Sequence, residues 1–152
     1  MKITDGIPYL DSVKDLIIEY TKFLDRNLDF QGLNEELKDL KSKYSGEEGE
    51  LLVALSDDNI VMGCVAYHRH NKNRCEMKRL FVKPEYRKFK LGEKLVQEII
   101  NHAKLKGYKE MVLDTIEPLK AAIHLYKKFG FKECEPYYNN PMNDVIYMKL
   151  EL

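Results

Sequence analysis

A basic loop ahead of a long amphipathic helix is the stretch of this sequence whose residue types best suit chemistry. The loop carries Arg87, Lys88 and Lys90, and Leu91 and Gly92 open the helix. The first turn of a helix has unpaired N–H groups and partial positive charge, so phosphates bind there, and basic side chains add charge-assisted hydrogen bonds. The sequence therefore predicts a site for a phosphorylated cofactor; the alternative is an ordinary solvated charge run.

The hydrophobic pattern identifies the elements on both sides of this loop. Residues 75–82 are typical of a strand, and Pro84 ends it because proline cannot donate to a ladder. Apolar residues then recur every three or four positions over 91–103, which predicts a helix that ends at Gly107. A strand over 108–115 follows. A crossover of this kind normally makes a parallel pair of strands.

The remaining chain also alternates between strand and helix patterns. The spacing predicts an edge strand at 2–4, helices at 9–25 and 33–44, a break at 27–32, strands at 51–55 and 60–67, a second crossover helix from 119 that ends at Gly130, and terminal strands at 131–134 and 145–150. Short turns between the early strands predict an antiparallel meander. We expect one α/β domain over 1–152, with a mixed central sheet that is antiparallel early and parallel in the middle, flanked by about four helices.

Composition narrows the classes of function. The chain has 25 basic and 25 acidic residues and no net charge, which disfavours nucleic acid and anionic membranes as partners. No apolar run approaches the ~20 residues that span a bilayer, and the first residues lack the apolar stretch of a secretion signal. The three cysteines are odd in number and share no metal-type spacing, so we expect reduced thiols and a cytoplasmic protein.

A metal site is not expected. His68 and His70 form a His-x-His pair, but the sequence offers no third ligand nearby. A polar strand end is the simpler interpretation.

The loop and its flanking elements resemble the acetyl-CoA-binding motif of the GNAT superfamily of N-acetyltransferases. That motif is R/Q-x-x-G-x-G/A, and the chain reads Arg87-Lys88-Phe89-Lys90-Leu91-Gly92, with Lys90 in place of the first glycine. The segment 121–131 also resembles the family in order and spacing. The resemblance is clearest from about residue 50 to 152 and implies a sheet that splays between its fourth and fifth strands to admit the pantetheine arm.

The resemblance assigns cofactor contacts to two segments. Main-chain groups of one strand would bind the acetyl carbonyl and the pantetheine amides, and the loop would bind the pyrophosphate. The implied acetyl-CoA-binding residues are Leu80, Phe81 and Val82 in the strand, and Arg87, Lys88, Lys90, Leu91 and Gly92 in the loop.

The resemblance also implies two catalytic residues. Tyr126 matches a tyrosine that protonates the leaving thiolate; the alternative is a core aromatic on an apolar helix face. Glu76 matches a glutamate that deprotonates the amine; the alternative is a structural ion pair with Lys78 or Arg79. The family often has asparagine seven residues before the tyrosine, where this chain has Leu119.

Strand alternation makes a further prediction for the central strand. One face should carry Glu76, Lys78, Leu80 and Val82, and the opposite face Met77, Arg79 and Phe81.

The acceptor is expected near the loop that joins the last two strands. Tyr138 and Asn139 are the predicted substrate-binding residues, since stacking and amide hydrogen bonds orient small amines. The alternative is a proline-bounded surface turn.

The predicted function is N-acetyl transfer from acetyl-CoA to a primary amine of a small molecule or a protein. A longer-chain acyl-CoA donor is a second enzymatic interpretation, and a CoA-binding sensor or assembly module without turnover is the alternative of another class. A homodimer is compatible with the sequence, which does not specify it.

Overall fold

A seven-stranded mixed sheet forms the centre of the protein. The structure is a computed structural model and describes residues 1–25 and 32–152. The strands are β1 Lys2–Asp5, β2 Gly49–Leu55, β3 Val61–Arg69, β4 Arg74–Val82, β5 Glu110–Ile116, β6 Lys132–Glu133 and β7 Val145–Glu151. Their order is β1-β2-β3-β4-β5-β7-β6. Only β4 and β5 pair in parallel among these strands, which confirms the predicted mixed sheet.

Five α-helices accompany the sheet in the described ranges. They are α1 Leu10–Leu24, α2 Leu33–Lys38, α3 Leu40–Lys43, α4 Leu91–Leu105 and α5 Lys120–Lys128. None of them is long and apolar enough to cross a membrane. The break predicted at 27–32 lies outside the described residues, apart from Gly32 itself.

The single helix predicted over 33–44 is wrong, because Asp39 divides it into α2 and α3. Asp39 has an extended backbone, with φ −151° and ψ 69°, and its carboxylate accepts a hydrogen bond from the Ser42 N–H at 3.2 Å. Aspartate offers the backbone this local alternative to helix and caps the helix that follows. The apolar spacing of Leu33, Leu37 and Leu40 could not show the interruption.

Two hydrophobic cores lie on opposite faces of the sheet. The α4 core contains Leu95 and Ile99, both fully buried, together with the inward residues of β5 and β7. The α1 core contains Val13 and Leu16 and packs on β2 and β3. Each helix contributes the apolar stripe that its sequence spacing predicts. The site-bearing strands β4 and β5 therefore separate two distinct compartments.

The β4–β5 pairing is short. It runs from Arg74 opposite Glu110 to Glu76 opposite Val112 and then ends. On its other edge, β5 continues to pair with β7 as far as Ile116. The two central strands therefore separate beyond Glu76, which confirms the splay that the resemblance implies.

A bulge at Arg79 makes the predicted alternation of β4 wrong. Arg79 has a left-handed backbone with φ 59°, and the register against β3 shifts between Cys64 and Ala66. An inserted residue reverses the side-chain alternation beyond it. Residues that pack in the α4 core are Met77, Leu80 and Val82, whereas Phe81 packs in the α1 core.

Candidate active site

A cavity passes through the sheet where β4 and β5 separate. Its lining includes Leu80, Leu113 and Tyr126 from the α4 core side. It also includes Lys78 and Asp114, which alternate with α4-core residues along their strands and so lie on the α1 side. Two reactants can therefore meet in this cavity from opposite faces of the sheet.

Tyr126 reaches the cavity from α5. Its side chain is only 8% exposed and its ring packs edge-on against Phe131, with 5.8 Å between centroids. Within the described part of the chain, its hydroxyl has no hydrogen-bond partner. Burial, with smaller effects of Tyr20 and Asp114, raises the pKa of Tyr126 well above its usual range. The hydroxyl is therefore protonated at neutral pH and free to donate into the cavity.

Leu119 also lines the cavity, immediately before α5. This is the position at which the family often has asparagine. The chain thus presents an apolar wall here rather than a side-chain hydrogen bond.

Leu80, Phe81 and Val82 follow the bulge, along the edge of β4 that β5 has left. On the other edge, Phe81 pairs with Cys64 and Val82 with Gly63 of β3. The Leu80 side chain lines the cavity, and the Phe81 ring packs against Tyr20 at 5.1 Å between centroids. Because β5 does not pair here, the peptide groups of this segment that point away from β3 face the gap and can bind another partner.

The backbone conformation of the basic loop explains why the family motif has glycine at the position of Lys90. Residues Pro84–Phe89 form a 3₁₀ turn, and Lys90 adopts the left-handed conformation with φ 57° before α4 begins. Glycine adopts this conformation without a steric cost, which accounts for glycine at this position of the motif. Lys90 adopts the same conformation, so the substitution preserves the turn.

Gly92 leaves space at the start of α4. Among the described residues beyond its chain neighbours and its own helix backbone, a Cβ added at Gly92 would contact Leu125, at an ordinary 3.7 Å. The fold therefore does not require glycine at this position. Leu91, in contrast, is buried and anchors the helix start in the core.

The predicted phosphate-binding side chains are exposed. The Arg87 guanidinium lies over the rings of Phe23 and Phe81, at 5.2 and 5.8 Å from their centroids, and its Nε donates to the Val82 carbonyl at 3.3 Å. Lys88 lies over Phe89. Arg87 thus links the loop to the end of β4.

Glu76 lies at the point where β4 and β5 separate, and it is buried among donors. Its carboxylate accepts hydrogen bonds from His70 Nε2 at 3.1 Å and from the Tyr137 hydroxyl at 2.7 Å, and it lies 3.9 Å from Lys78 Nζ. Burial raises its pKa, but the His70 hydrogen bond, the Lys78 charge and the Tyr137 hydrogen bond outweigh it and lower the pKa to about 2. Glu76 is not among the described residues that line the cavity.

Asp114 on β5 is a functional candidate that sequence reasoning missed. It lines the cavity and accepts hydrogen bonds from the Tyr138 hydroxyl and from Asn140 Nδ2, the latter at 3.3 Å. Burial is the main cause of a raised Asp114 pKa, which the Tyr138 hydrogen bond opposes and the Glu76 charge reinforces. The sequence feature that could have indicated Asp114 is a carboxylate placed within the apolar part of β5.

The two predicted substrate-binding residues lie in different environments. Tyr138 bonds to Asp114 at the cavity, whereas Asn139 is exposed on the surface. The ring of Tyr138 packs on Tyr137 and Tyr147 at 5.4 and 5.7 Å. The loop from Cys134 to Asp144 therefore places an aromatic cluster over the α1 side of β4 and β5.

A buried ion pair holds the bulge. Arg79 donates to Glu36 of α2 through Nε at 2.7 Å and Nη2 at 2.9 Å, and Lys43 Nζ lies 2.6 Å from the same carboxylate. Burial opposes ionisation of Glu36, yet Arg79 and Lys43 lower its pKa to about 2. This pairing stabilises the left-handed residue beside the cavity.

The comparisons with known proteins agree with this geometry. The sequence matches the Acetyltransferase (GNAT) family over residues 13–131. An uncharacterised N-acetyltransferase of Schizosaccharomyces pombe is 46% identical, covering 94% of this chain and 88% of the relative. An acetyltransferase of Streptococcus agalactiae superposes with TM-score 0.82 and 26% identity, over 99% of this chain and 98% of the other.

A second solved structure has acetyl-CoA bound. It is a GNAT family acetyltransferase of Elizabethkingia anophelis with acetyl-CoA bound, at TM-score 0.62 and 27% identity, over 77% of this chain and 82% of the other. The family match, the close relative and the shared fold lead to one conclusion: this chain belongs to the GNAT family of acetyltransferases.

Proposed function

We propose that the protein transfers the acetyl group of acetyl-CoA to a primary amine of a small molecule or a protein. The observation that supports this most is the cavity through the sheet, because both the carboxylate of Asp114 and the side chain of Tyr126 line it, and the Tyr126 hydroxyl has no hydrogen-bond partner among the described residues. A transfer reaction needs an acid for the leaving thiolate and a base for the attacking amine.

The residues present fit acetyl-CoA. The first turn of α4 offers unpaired N–H groups, and the open space at Gly92 lets a phosphate approach the backbone. Arg87, Lys88 and Lys90 add positive charge around that end. The free edge of β4 after Glu76 offers peptide groups to the amides of the pantetheine arm.

When bound, acetyl-CoA supplies a thioester whose C–S bond breaks as the acceptor nitrogen bonds to the acetyl carbon. Those peptide N–H groups of residues 80–82 that point away from β3 orient and polarise the carbonyl in the gap. Tyr126 holds a proton on Oη for the leaving sulfur. Glu76 and Asp114 are the carboxylates that can receive the proton of the amine.

A binding measurement tests the cofactor site. We expect acetyl-CoA to bind the wild type by isothermal titration and to bind Gly92→Glu at least ~10-fold more weakly, because the new carboxylate would occupy and repel the phosphate site. Gln97→Glu is the matched control, since it adds the same charge on the exposed face of the same helix. Equal acetyl-CoA affinity in all three proteins would show that the α4 N-terminus does not bind the cofactor.

A turnover measurement tests the reaction. Thiol release from acetyl-CoA should occur with at least one member of a panel of amino acids, polyamines, aminoglycosides and lysine peptides, and mass spectrometry should find the acetylated amine. Binding of acetyl-CoA without turnover across the panel would contradict the transferase proposal and favour a CoA-binding module.

A further inference from the structure

Asp114 is partly buried and, among the described residues, differs from the buried carboxylates Glu36 and Glu76 in having no ion-pair partner. Lys78 lines the same cavity and its charge lowers the pKa of Asp114, but it forms no salt bridge with this carboxylate. Glu36 is paired with Arg79 and Lys43, and Glu76 lies within reach of His70 and Lys78. The groups that hydrogen-bond to Asp114 are Tyr138 and Asn140, which are both neutral. No ion pair to Asp114 occurs among the residues that the structure describes.

A carboxylate withdrawn from water normally has a cationic partner, because burying an unpaired charge is costly. Here the carboxylate lines a cavity rather than packing into the core. A cationic group that enters the cavity would therefore complete its pairing. An ammonium ion meets this need, because it carries the charge and three N–H donors.

We propose that Asp114 binds the ammonium group of the acceptor and then takes its proton; this inference rests on the proposed acetyl transfer. The N–H bond breaks, its proton moves to a carboxylate oxygen of Asp114, and the nitrogen keeps the electron pair with which it attacks. The proton on Asp114 leaves afterwards to water.

The two proton-transfer groups, Asp114 for the amine and Tyr126 for the thiolate, lie on different faces of the sheet. Asp114 lies on the α1 side, whereas Tyr126 enters from α5 on the α4 core side. The base for the amine and the acid for the thiolate are therefore separate groups that line one cavity from different faces of the sheet.

The surroundings of Asp114 also make it a stronger base than Glu76. Burial raises the pKa of Asp114, whereas the donors around Glu76 lower its pKa to about 2. A base works best when its pKa approaches the working pH. The titratable and charged groups around Asp114 are Tyr20 from α1, Tyr126 from α5, Glu76 and Lys78 from β4, Tyr147 from β7, and Tyr137 and Tyr138 from the β6–β7 loop.

Ammonium binding can be tested without knowing the natural acceptor. Carbon-13 NMR of aspartate carboxyl groups, in protein saturated with CoA, would follow a titration with n-butylammonium chloride. We expect a saturable shift of one signal, identified as Asp114 by its absence from Asp114→Asn. The neutral analogue n-butanol should not reproduce it. No response of that signal to butylammonium would overturn the proposed ammonium site.

The proton transfer is tested with whichever amine turns over in the panel. Asp114→Asn should lower kcat/KM at least ~100-fold and remove the acidic limb of its pH profile, while Glu76→Gln should keep that limb. Loss of the limb in Glu76→Gln, with the limb retained in Asp114→Asn, would overturn the assignment. If the wild type acetylates no amine, the transferase proposal fails, whereas the NMR titration still decides the ammonium site.

A melting temperature shows whether the Asp114→Asn variant still folds. Asparagine retains an oxygen for the Tyr138 hydroxyl and removes a partly buried charge, so Asp114→Asn should melt at or above the wild-type temperature. A clearly lower melting temperature would show that Asp114 serves the fold, and it would contradict an unpaired carboxylate kept for a ligand.

Discussion

Replacing Glu36 with glutamine tests how the bulge beside the cavity is held. The Glu36 side chain is 1% exposed and makes two hydrogen bonds with Arg79. Lowering its pKa from 4.5 to about 2 corresponds to about 3 kcal/mol of stability at neutral pH. Breaking one partner of a buried ion pair typically costs about 3–5 kcal/mol, which agrees. We therefore expect Glu36→Gln to lower the free energy of unfolding by about 3 kcal/mol at pH 7.

The pH dependence gives a second, independent expectation. Because the folded pKa of Glu36 is depressed, its contribution is complete above the unfolded value of 4.5 and is lost as the pH falls through about 2. About half of it should remain at pH 3. The difference between wild type and Glu36→Gln should therefore be about twice as large at pH 7 as at pH 3.

Urea unfolding followed by circular dichroism measures both quantities. Glu35→Gln is the matched control, because Glu35 lies on the same helix with its side chain 80% exposed and pairs with Lys38 at 3.1 Å. Exposed pairs contribute less than about 1 kcal/mol. If Glu36→Gln were no more destabilising than Glu35→Gln, or if its deficit were the same at both pH values, the assigned role of this ion pair would be refuted.

Two further predictions concern the loop before α4 and the thiols. Lys90→Gly should raise the free energy of unfolding by up to about 1 kcal/mol, because a left-handed residue with a Cβ is strained, and denaturant titration checks this; a loss of stability would show that the lysine side chain stabilises the turn. Burial raises the pKa of Cys64 and of Cys75 to about 12, so Ellman's reagent at pH 8 should modify the partly exposed Cys134 first, with the other two reacting only after denaturation. Rapid reaction of all three thiols in the native protein would contradict this burial.

Regular patterns in the sequence predicted most of the architecture. The apolar repeat after Leu91 predicted α4, and the strand predicted to end before Pro84 is β4. Local rules worked there because each element is specified by its own residues. The bulge at Arg79 escaped prediction because a period of two cannot show where one extra residue is inserted.

The candidate site was harder to predict because its parts are distant in sequence. Asp114 and Tyr138 are bonded across 24 positions of chain, and Glu36 and Arg79 across 43. No spacing rule relates residues so far apart. The resemblance supplied Tyr126 and Glu76, and only the folded arrangement shows which one lines the cavity. Their catalytic roles remain predictions.

The measurement that tests the central claim most directly is the rate of acetyl transfer by Tyr126→Phe. Phenylalanine keeps the ring against Phe131 and removes only the hydroxyl that faces the cavity. Tyr108→Phe is the control, since Tyr108 is equally buried in the same core but does not line the cavity. With the best amine of the panel, kcat should fall ~100-fold or more in Tyr126→Phe and stay near the wild-type value in Tyr108→Phe. An unchanged kcat in Tyr126→Phe would contradict acid catalysis by this hydroxyl and the function built on it.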